Sequence, residues 1–424
     1  MGLLIKNGRV INPKPKVDAV MDIMVEDGII VKMAHHIDQN ADHVVDAKNM
    51  WVIPGLIDIH VHLREPGFEH KETIETGTKS AAAGGFTTIC AMPNTNPVVD
   101  SEILVEYIKM KAEKTGVVNV LPIGSITKGQ QGEELANIGQ MVKAGVCAIS
   151  EDGHSVMNAS LMNMAFKYAK MFNIPVFSHC EDKTMASGVI NAGNVSALIG
   201  LKGIAREAEE VIIARDIILA RGAEASLHIC HVSTEGAVQL IREAKNRQEQ
   251  VTAEVCPHHF TLTDESVKDY DTNTKINPPL RTQKDVDSIK KALKENVIDI
   301  IATDHAPHHI DDKNCEYEKA SFGIIGLETA VPLCMTELVH QGILSPIELI
   351  EKMTVNPAKL INIDKGSLEV GKAADITIIN PYEEFIIDVG TFYSKGKNSP
   401  FNGYKAKGRV KSTIVSGKIV FSIN

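Results

Sequence analysis

Between Trp51 and Pro307 the chain alternates short apolar runs with amphipathic segments, and it does so eight times. The runs are "WVIPGLIDIHVH", "FTTICAM", "VVNVLPIG", "VCAISED", "IPVFSHCED", "SLHICHVS", "VTAEVCPHH" and "IDIIATDHAP". Between them lie helical patterns such as "AREAEEVIIARDIILARG", where Gly222 reads as a stop signal. Repeated strand and helix units build a parallel sheet covered by helices. An open, doubly wound sheet is one outcome. A closed (β/α)8 TIM-like barrel is preferred, because the count reaches eight and polar residues gather where the runs end, the face on which barrel enzymes carry their chemistry. The expected fold class is therefore α/β.

The two ends of the chain read differently. "LLIKNGRVI" carries Asn-Gly and "DIMVEDGIIVKMA" carries Asp-Gly, both hairpin signals, and "KAADITIINP" and "KSTIVSGKIVFS" repeat the style near the C-terminus. The expectation is one small β-sandwich domain built from both termini, residues 1–50 and 363–424, flanking a barrel over 51–362. At 424 residues, 44% hydrophobic and 23% charged, the chain can bury cores of that size. Its formal net charge of -10 argues against a nucleic-acid surface. No membrane-length apolar stretch and no leader-like h-region is seen. Seven cysteines without a C-x-x-C suit reduced thiols, so the expected address is the cytoplasm.

The strand ends carry His60 and His62 on the first run, Asp152 on the fourth, His179 on the fifth, His231 on the sixth and Asp304 on the eighth. Alternate side chains of a strand share a face, roughly 7 Å apart, so His60 and His62 can converge on one ion. Each residue has a plainer reading: Asp152 precedes Gly153 and suits a turn, and His179 suits a core. Four imidazoles and two carboxylates at one barrel mouth suit a zinc-type hydrolytic centre better. By the same alternation Cys180, Cys230 and His228 should face away from the mouth and pack. His258 and His259 are as well suited to supporting a ligand from behind or to holding the fold as to reaching the pocket, and they stay outside the ligand set. His35, His36 and His43 read as surface residues.

"HVHLREPG", "AMPNTNP", "SEDG", "CHVST", "INPPLR" and "ATDHAPH", in this order, resemble the amidohydrolase superfamily and, within it, the longer bacterial type of dihydroorotase, over essentially the whole chain. The resemblance implies reversible closure of N-carbamoyl-L-aspartate to dihydroorotate in pyrimidine synthesis. It implies one or two zinc ions per chain, two being favoured. By position, His60, His62 and Asp304 would bind one ion, His179 and His231 the second, and Asp152 would bridge them. Asp304 would also move the proton to the leaving nitrogen. His62, Arg64, Asn94, Asn277 and His308 would hold the substrate, helped by backbone around Phe322 and Gly323.

Arg64 lies two residues beyond His62 and so should stay on the mouth side, where its fork can grip a carboxylate. Asn94 and Asn277 sit beside prolines and suit turns equally well. The polar stretch "HHIDDKNCEYEKASFG" has few anchors and reads as a mobile lid. Many relatives, hydantoinases among them, bridge their metals with a carboxylated lysine at the fourth strand; "VCAISEDG" has no lysine there. Two other readings stay open: an allantoinase- or hydantoinase-type cyclic amidohydrolase, and a noncatalytic dihydroorotase-like subunit supporting aspartate transcarbamoylase. The expected partner is a small-molecule substrate, with no nucleic acid and no membrane. A homodimer and an association with aspartate transcarbamoylase are also envisaged.

Overall fold

The computed structural model describes residues 2–423. Eight parallel strands form the barrel: Leu56–Val61, Phe86–Ala91, Asn119–Pro122 continued by Gly124–Ser125, Ile149–Ser150, Val176–Ser178, Leu227–Ile229, Val251–Val255 and Ile300–Ile301. They pair in that order. Between Pro122 and Gly124 the third strand changes partner: the Ile123 amide donates to Ala91 and the Gly124 amide to Ala148. The ring closes where the His62 amide donates to the His305 carbonyl at 2.9 Å, beside a parallel bridge between Val61 and His305. Closure brings the first and eighth strand ends, and with them the His60/His62 pair and Asp304, to one side of one mouth.

The helices between strands bury one face on the outer wall of the barrel. Ile212, Ile213 and Ile217 of helix Glu207–Ala223, Val238 and Ile241 of Glu235–Asn246 and Ile289 of Gln283–Lys294 join Leu56, Phe86 and Ile89 in one apolar cluster. Each such side chain contributes roughly 1.5–3 kcal/mol by leaving water. Local signals set many boundaries: Thr73 caps helix Ile74–Ala83 through a reciprocal bond with Thr76, and Gly84 ends it. Gly222 does not stop its helix. The chain runs through it to Ala223 and turns at Glu224, whose left-handed backbone (φ 49°) sends its N–H to Ala220 and Arg221.

Strands from both termini join in one eight-stranded sheet folded over its own core of Leu3, Ile5, Val10, Ile23, Val25, Val52, Ile376, Ile378 and Ile414. Asp27–Gly28 makes the expected hairpin between Val17–Glu26 and Ile29–Ala34. Asn7–Gly8 does not. Gly2–Asn12 is a single strand with an irregularity between Ile5 and Gly8, where a side chain on Gly8 would strike Val52 at 2.3 Å. Trp51–Pro54, grouped by sequence with the first barrel strand, belongs to this terminal sheet; it pairs with Gly2–Asn12 and with Ile376–Ile386. Gly55 allows the passage between the two units, since a Cβ there would meet the Thr87 hydroxyl at 2.1 Å. No helix among the described residues is long and apolar enough to cross a membrane.

Candidate active site

All six expected metal ligands meet at the mouth. His60 Nε2 lies 3.2 Å from Asp152 Oδ1 and 3.5 Å from Asp304 Oδ1. His62 Nε2 lies 3.1 Å from Asp304 Oδ1 and 3.3 Å from Asp152 Oδ2. His179 Nδ1 and His231 Nε2 face each other at 2.9 Å, at 3.6 and 3.7 Å from Asp152 Oδ1. The two oxygens of Asp152 are thus divided between neighbours, with Oδ2 toward His62 and Oδ1 toward His60, His179 and His231. All but Asp304 are buried, and His60 Nε2 and Asp152 Oδ1 have no hydrogen-bond partner. Burial without a partner is costly for such atoms. A cation coordinated by nitrogen and carboxylate oxygen would satisfy both, so the residues present fit a metal cofactor.

Beneath the ligands lies a layer that sequence reasoning missed. Glu254, on the seventh strand, takes His60 Nδ1 at 2.6 Å through Oε1 and His228 Nε2 at 3.1 Å through Oε2. Burial alone would raise its carboxyl, but His60 and His228 outweigh that and hold it at about 2. Burial likewise opposes the charged form of His60, yet Glu254, Asp152 and Asp304 raise its pKa well above the usual value. A lone glutamate inside "VTAEV" was the available signal, because a buried charge requires a partner. His228 and Cys230 therefore do not turn away from the site. His228 reaches the carboxylate that holds His60, and Cys230 Sγ lies near ligand atoms of His60 and Glu254. Alternation fails here because the sixth strand ends at Ile229 and His231 adopts a left-handed backbone at φ 35°. Cys180 packs in the outer apolar cluster. His258 and His259 are buried beside each other, with His259 Nε2 donating to the Pro278 carbonyl at 3.0 Å.

Above the ligands is a cavity of about 230 Å³. His62, Arg64, Asn94, Asn277, His308, Phe322 and Gly323 all line it, together with Asp152, His179, His231 and Asp304. Arg64 is not carried there by strand alternation; the strand ends at Val61 and Arg64 sits at φ 61°. Its Nε donates to the Pro307 carbonyl at 3.2 Å, and burial lowers its pKa against the pull of Asp304 and Asp152. Asn94 accepts from His62 Nδ1 at 2.8 Å, so it fixes that ring as well as facing the cavity.

His308 Nε2 stands 2.8 Å from the Phe322 carbonyl, which can only accept, so this nitrogen carries the proton. Lys71 Nζ lies 3.4 Å from Nδ1, consistent with that tautomer. Burial and then Arg64 and Lys71 push His308 down to about 2, which keeps it neutral.

The stretch 308–323 has more anchors than its polarity suggests. Lys275 is buried and donates to the carbonyls of Tyr317 and Glu318, while its ammonium lies 4.5 Å from the Phe322 ring centre. Buried Lys313 donates to Thr272 and Ser321. Both lysines crosslink backbone carbonyls, which their sequence context does not reveal.

A (β/α)8 barrel whose mouth holds four imidazoles and two carboxylates defines the class of metal-dependent amidohydrolases. Residues 50–237 match the Dihydro-orotase-like family, and residues 230–421 match the Amidohydrolase family. A dihydroorotase of Acetivibrio thermocellus is 54% identical over 99% of this chain and 98% of its own length. One of Caldanaerobacter subterraneus subsp. tengcongensis is 52% identical over 100% and 98%. Among solved structures, an L-hydantoinase (dihydropyrimidinase) from Arthrobacter aurescens superposes with a TM-score of 0.89 at 26% identity, covering 99% of this chain and 96% of its own. The chain belongs to the dihydroorotase family.

Proposed function

We propose that this chain interconverts N-carbamoyl-L-aspartate and dihydroorotate, with zinc held by His60, His62 and Asp304 and a second zinc by His179 and His231, Asp152 lying between. The observation that carries the reading is Arg64: a half-buried guanidinium in the wall of the same cavity as the ligand cluster, suited to a substrate that bears a carboxylate. Identity of 54% to a dihydroorotase over nearly the whole chain supports it.

When bound, zinc supplies an activated water at neutral pH and polarises the ring carbonyl. The chain's own residues do the rest. Arg64, Asn94, Asn277 and His308 hold the carboxylate and ring polar atoms, and the backbone at Phe322 and Gly323 borders the ring. Asp304 takes the proton of the attacking water and returns it to the leaving ring nitrogen. The neighbouring imidazoles of His60 and His62 hold that carboxyl ionised against the opposing effect of burial, so it enters the step in the acceptor form. In the reverse direction the same carboxyl removes the proton from the carbamoyl nitrogen as the ring closes. A lysine carbamate is not needed in this reading, since the two oxygens of Asp152 already face both halves of the cluster.

Zinc-loaded protein assayed against dihydroorotate, hydantoin and allantoin tests the proposal. Turnover of dihydroorotate should exceed the other two; equal or faster turnover of hydantoin or allantoin would replace it with the second cyclic-amide reading.

A further inference from the structure

We propose that Asn398, in the C-terminal β-domain, is the positioning residue for the substrate-binding face made by His308 and Gly323. The inference rests on the substrate reading above.

Asn398 lies on the excursion between strands Ile376–Ile386 and Lys405–Val415 and is 4% exposed. It does not line the cavity. Its side-chain oxygen accepts from the His308 amide at 3.0 Å, and its side-chain nitrogen donates to the carbonyls of Ala306 and Gly323, each at 3.0 Å. Its own carbonyl accepts from the Ile325 amide at 3.0 Å. One planar amide thus joins the segment after the eighth strand to the far end of the 308–323 loop. An amide head offers one acceptor and two donors, and the three partners here are one N–H and two C=O groups. Aspartate cannot donate to the carbonyls, and an apolar residue satisfies none of the three.

The spacing that the clamp holds is tight. A Cβ on Gly323, whose φ is +127°, would come within 2.7 Å of Ala306 Cβ and 3.1 Å of His308 Nε2. On the other side, a Cβ on Gly396 would meet Pro307 at 2.8 Å and the His308 amide at 3.1 Å, so the strap lies directly on the segment it holds. The strap is itself fixed to the barrel. The amides of Tyr393 and Ser394 donate to Glu328, and the Ser394 hydroxyl and Lys395 amide donate to Glu72. Glu72 in turn lies 3.5 Å from His305, the neighbour of Asp304. The C-terminal domain therefore sets where two walls of the substrate cavity stand, and nothing in this chain of contacts passes through a metal ligand.

The test uses the full-length, zinc-loaded protein with Asn398→Ala, Asn398→Asp, His308→Ala and the Asn398→Ala/His308→Ala pair. KM and kcat for dihydroorotate, bound zinc, and amide hydrogen exchange over 305–309 and 321–326 are measured. Asn398→Ala should raise KM about 10-fold with a smaller change in kcat, because displaced contacts weaken substrate positioning more than the proton carrier. Bound zinc should be unchanged and exchange in both segments faster. Asn398→Asp, which keeps the acceptor and loses both donors, should also raise KM and serves if the alanine variant does not fold. The pair should cost less in KM than the two single effects multiplied, as expected when Asn398 acts in part through His308. Wild-type KM in the Asn398 variants, or a pair whose effects multiply, overturns the inference while a raised KM in His308→Ala leaves the substrate reading standing. Wild-type KM in His308→Ala removes His308 from the substrate contacts and overturns the inference with it.

Discussion

Glu254 Oε1 stands 2.6 Å from His60 Nδ1, and this contact turns the other ring nitrogen of His60 toward Asp152 and Asp304. A carboxylate behind a ligating histidine fixes its tautomer and raises its basicity. His228 holds the second oxygen of Glu254, so the carboxylate cannot rotate freely away.

Replacing Glu254 by Gln should therefore weaken zinc binding by about 10- to 100-fold without removing a ligand. Competition with a chelator of known affinity measures it. Unchanged affinity would mean that His60 is oriented by packing alone.

Asp304→Asn tests the proton carrier. The fold should survive, because the change keeps the side chain's size and the backbone bond that closes the ring at His305 does not involve it, and the rate should fall by roughly 10² to 10⁴, or more if zinc is also lost. Turnover is read beside metal content. Near wild-type turnover at full occupancy would remove Asp304 from that role.

The eight-unit barrel and the convergence of the six expected ligands were legible because both depend on local pattern: apolar runs in order, and chemistry-bearing residues at their ends. Three placements followed a different cause from the one alternation supplies. Arg64, His231 and Asp304 all sit in left-handed backbone, at φ 61°, 35° and 48°, past the ends of their strands, where period-two reasoning no longer applies. Such strained conformations cost of order 1–3 kcal/mol each and gather at functional sites. The Glu254–His228 layer was not legible, because it depends on which strands become neighbours across the closed barrel. Asn398 was hidden for the same reason at longer range, its side chain's partners being 75, 90 and 92 residues away in the chain. Trp51–Pro54 was misassigned because a strand buried in either unit has the same apolar signature.

A pH effect on stability should arise away from the metal site. Burial pushes Glu328 from 4.5 up to about 7, although the Ser80 hydroxyl and the amides of Ser394 and Tyr393 pull the other way. The folded chain then holds this proton in a window where the unfolded chain has lost it. Below about 4.5 both states are protonated and the contribution is complete; between about 4.5 and 7 it declines as pH rises. Relative to Glu328→Gln, which does not titrate, the wild-type protein should lose up to about 3 kcal/mol across that window. Denaturant unfolding of both proteins at several pH values measures the difference. A difference that is constant, or that grows in favour of wild type as pH rises, would show that the three donors keep Glu328 ionised throughout.

Substrate choice should follow Arg64. The barrel alone does not set it, since the superposed L-hydantoinase shares the fold at a TM-score of 0.89. Dihydroorotate carries a carboxylate that hydantoin and unsubstituted dihydrouracil lack, and a half-buried guanidinium gains by pairing with that anion. Arg64→Met should lower kcat/KM for dihydroorotate by roughly 10² to 10⁴-fold, while activity on dihydrouracil falls much less or rises, because the charged pair is lost and the metal chemistry is retained. Arg64 also donates to the Pro307 carbonyl, and Pro307 precedes His308, so some loss of positioning will accompany the loss of charge. That part affects both substrates alike. The ratio of the two kcat/KM values, measured on zinc-replete protein with unchanged thermal unfolding, isolates the charge. If both substrates lose activity in equal proportion, Arg64 is not the carboxylate reader, and recognition passes to Asn94, Asn277 and His308.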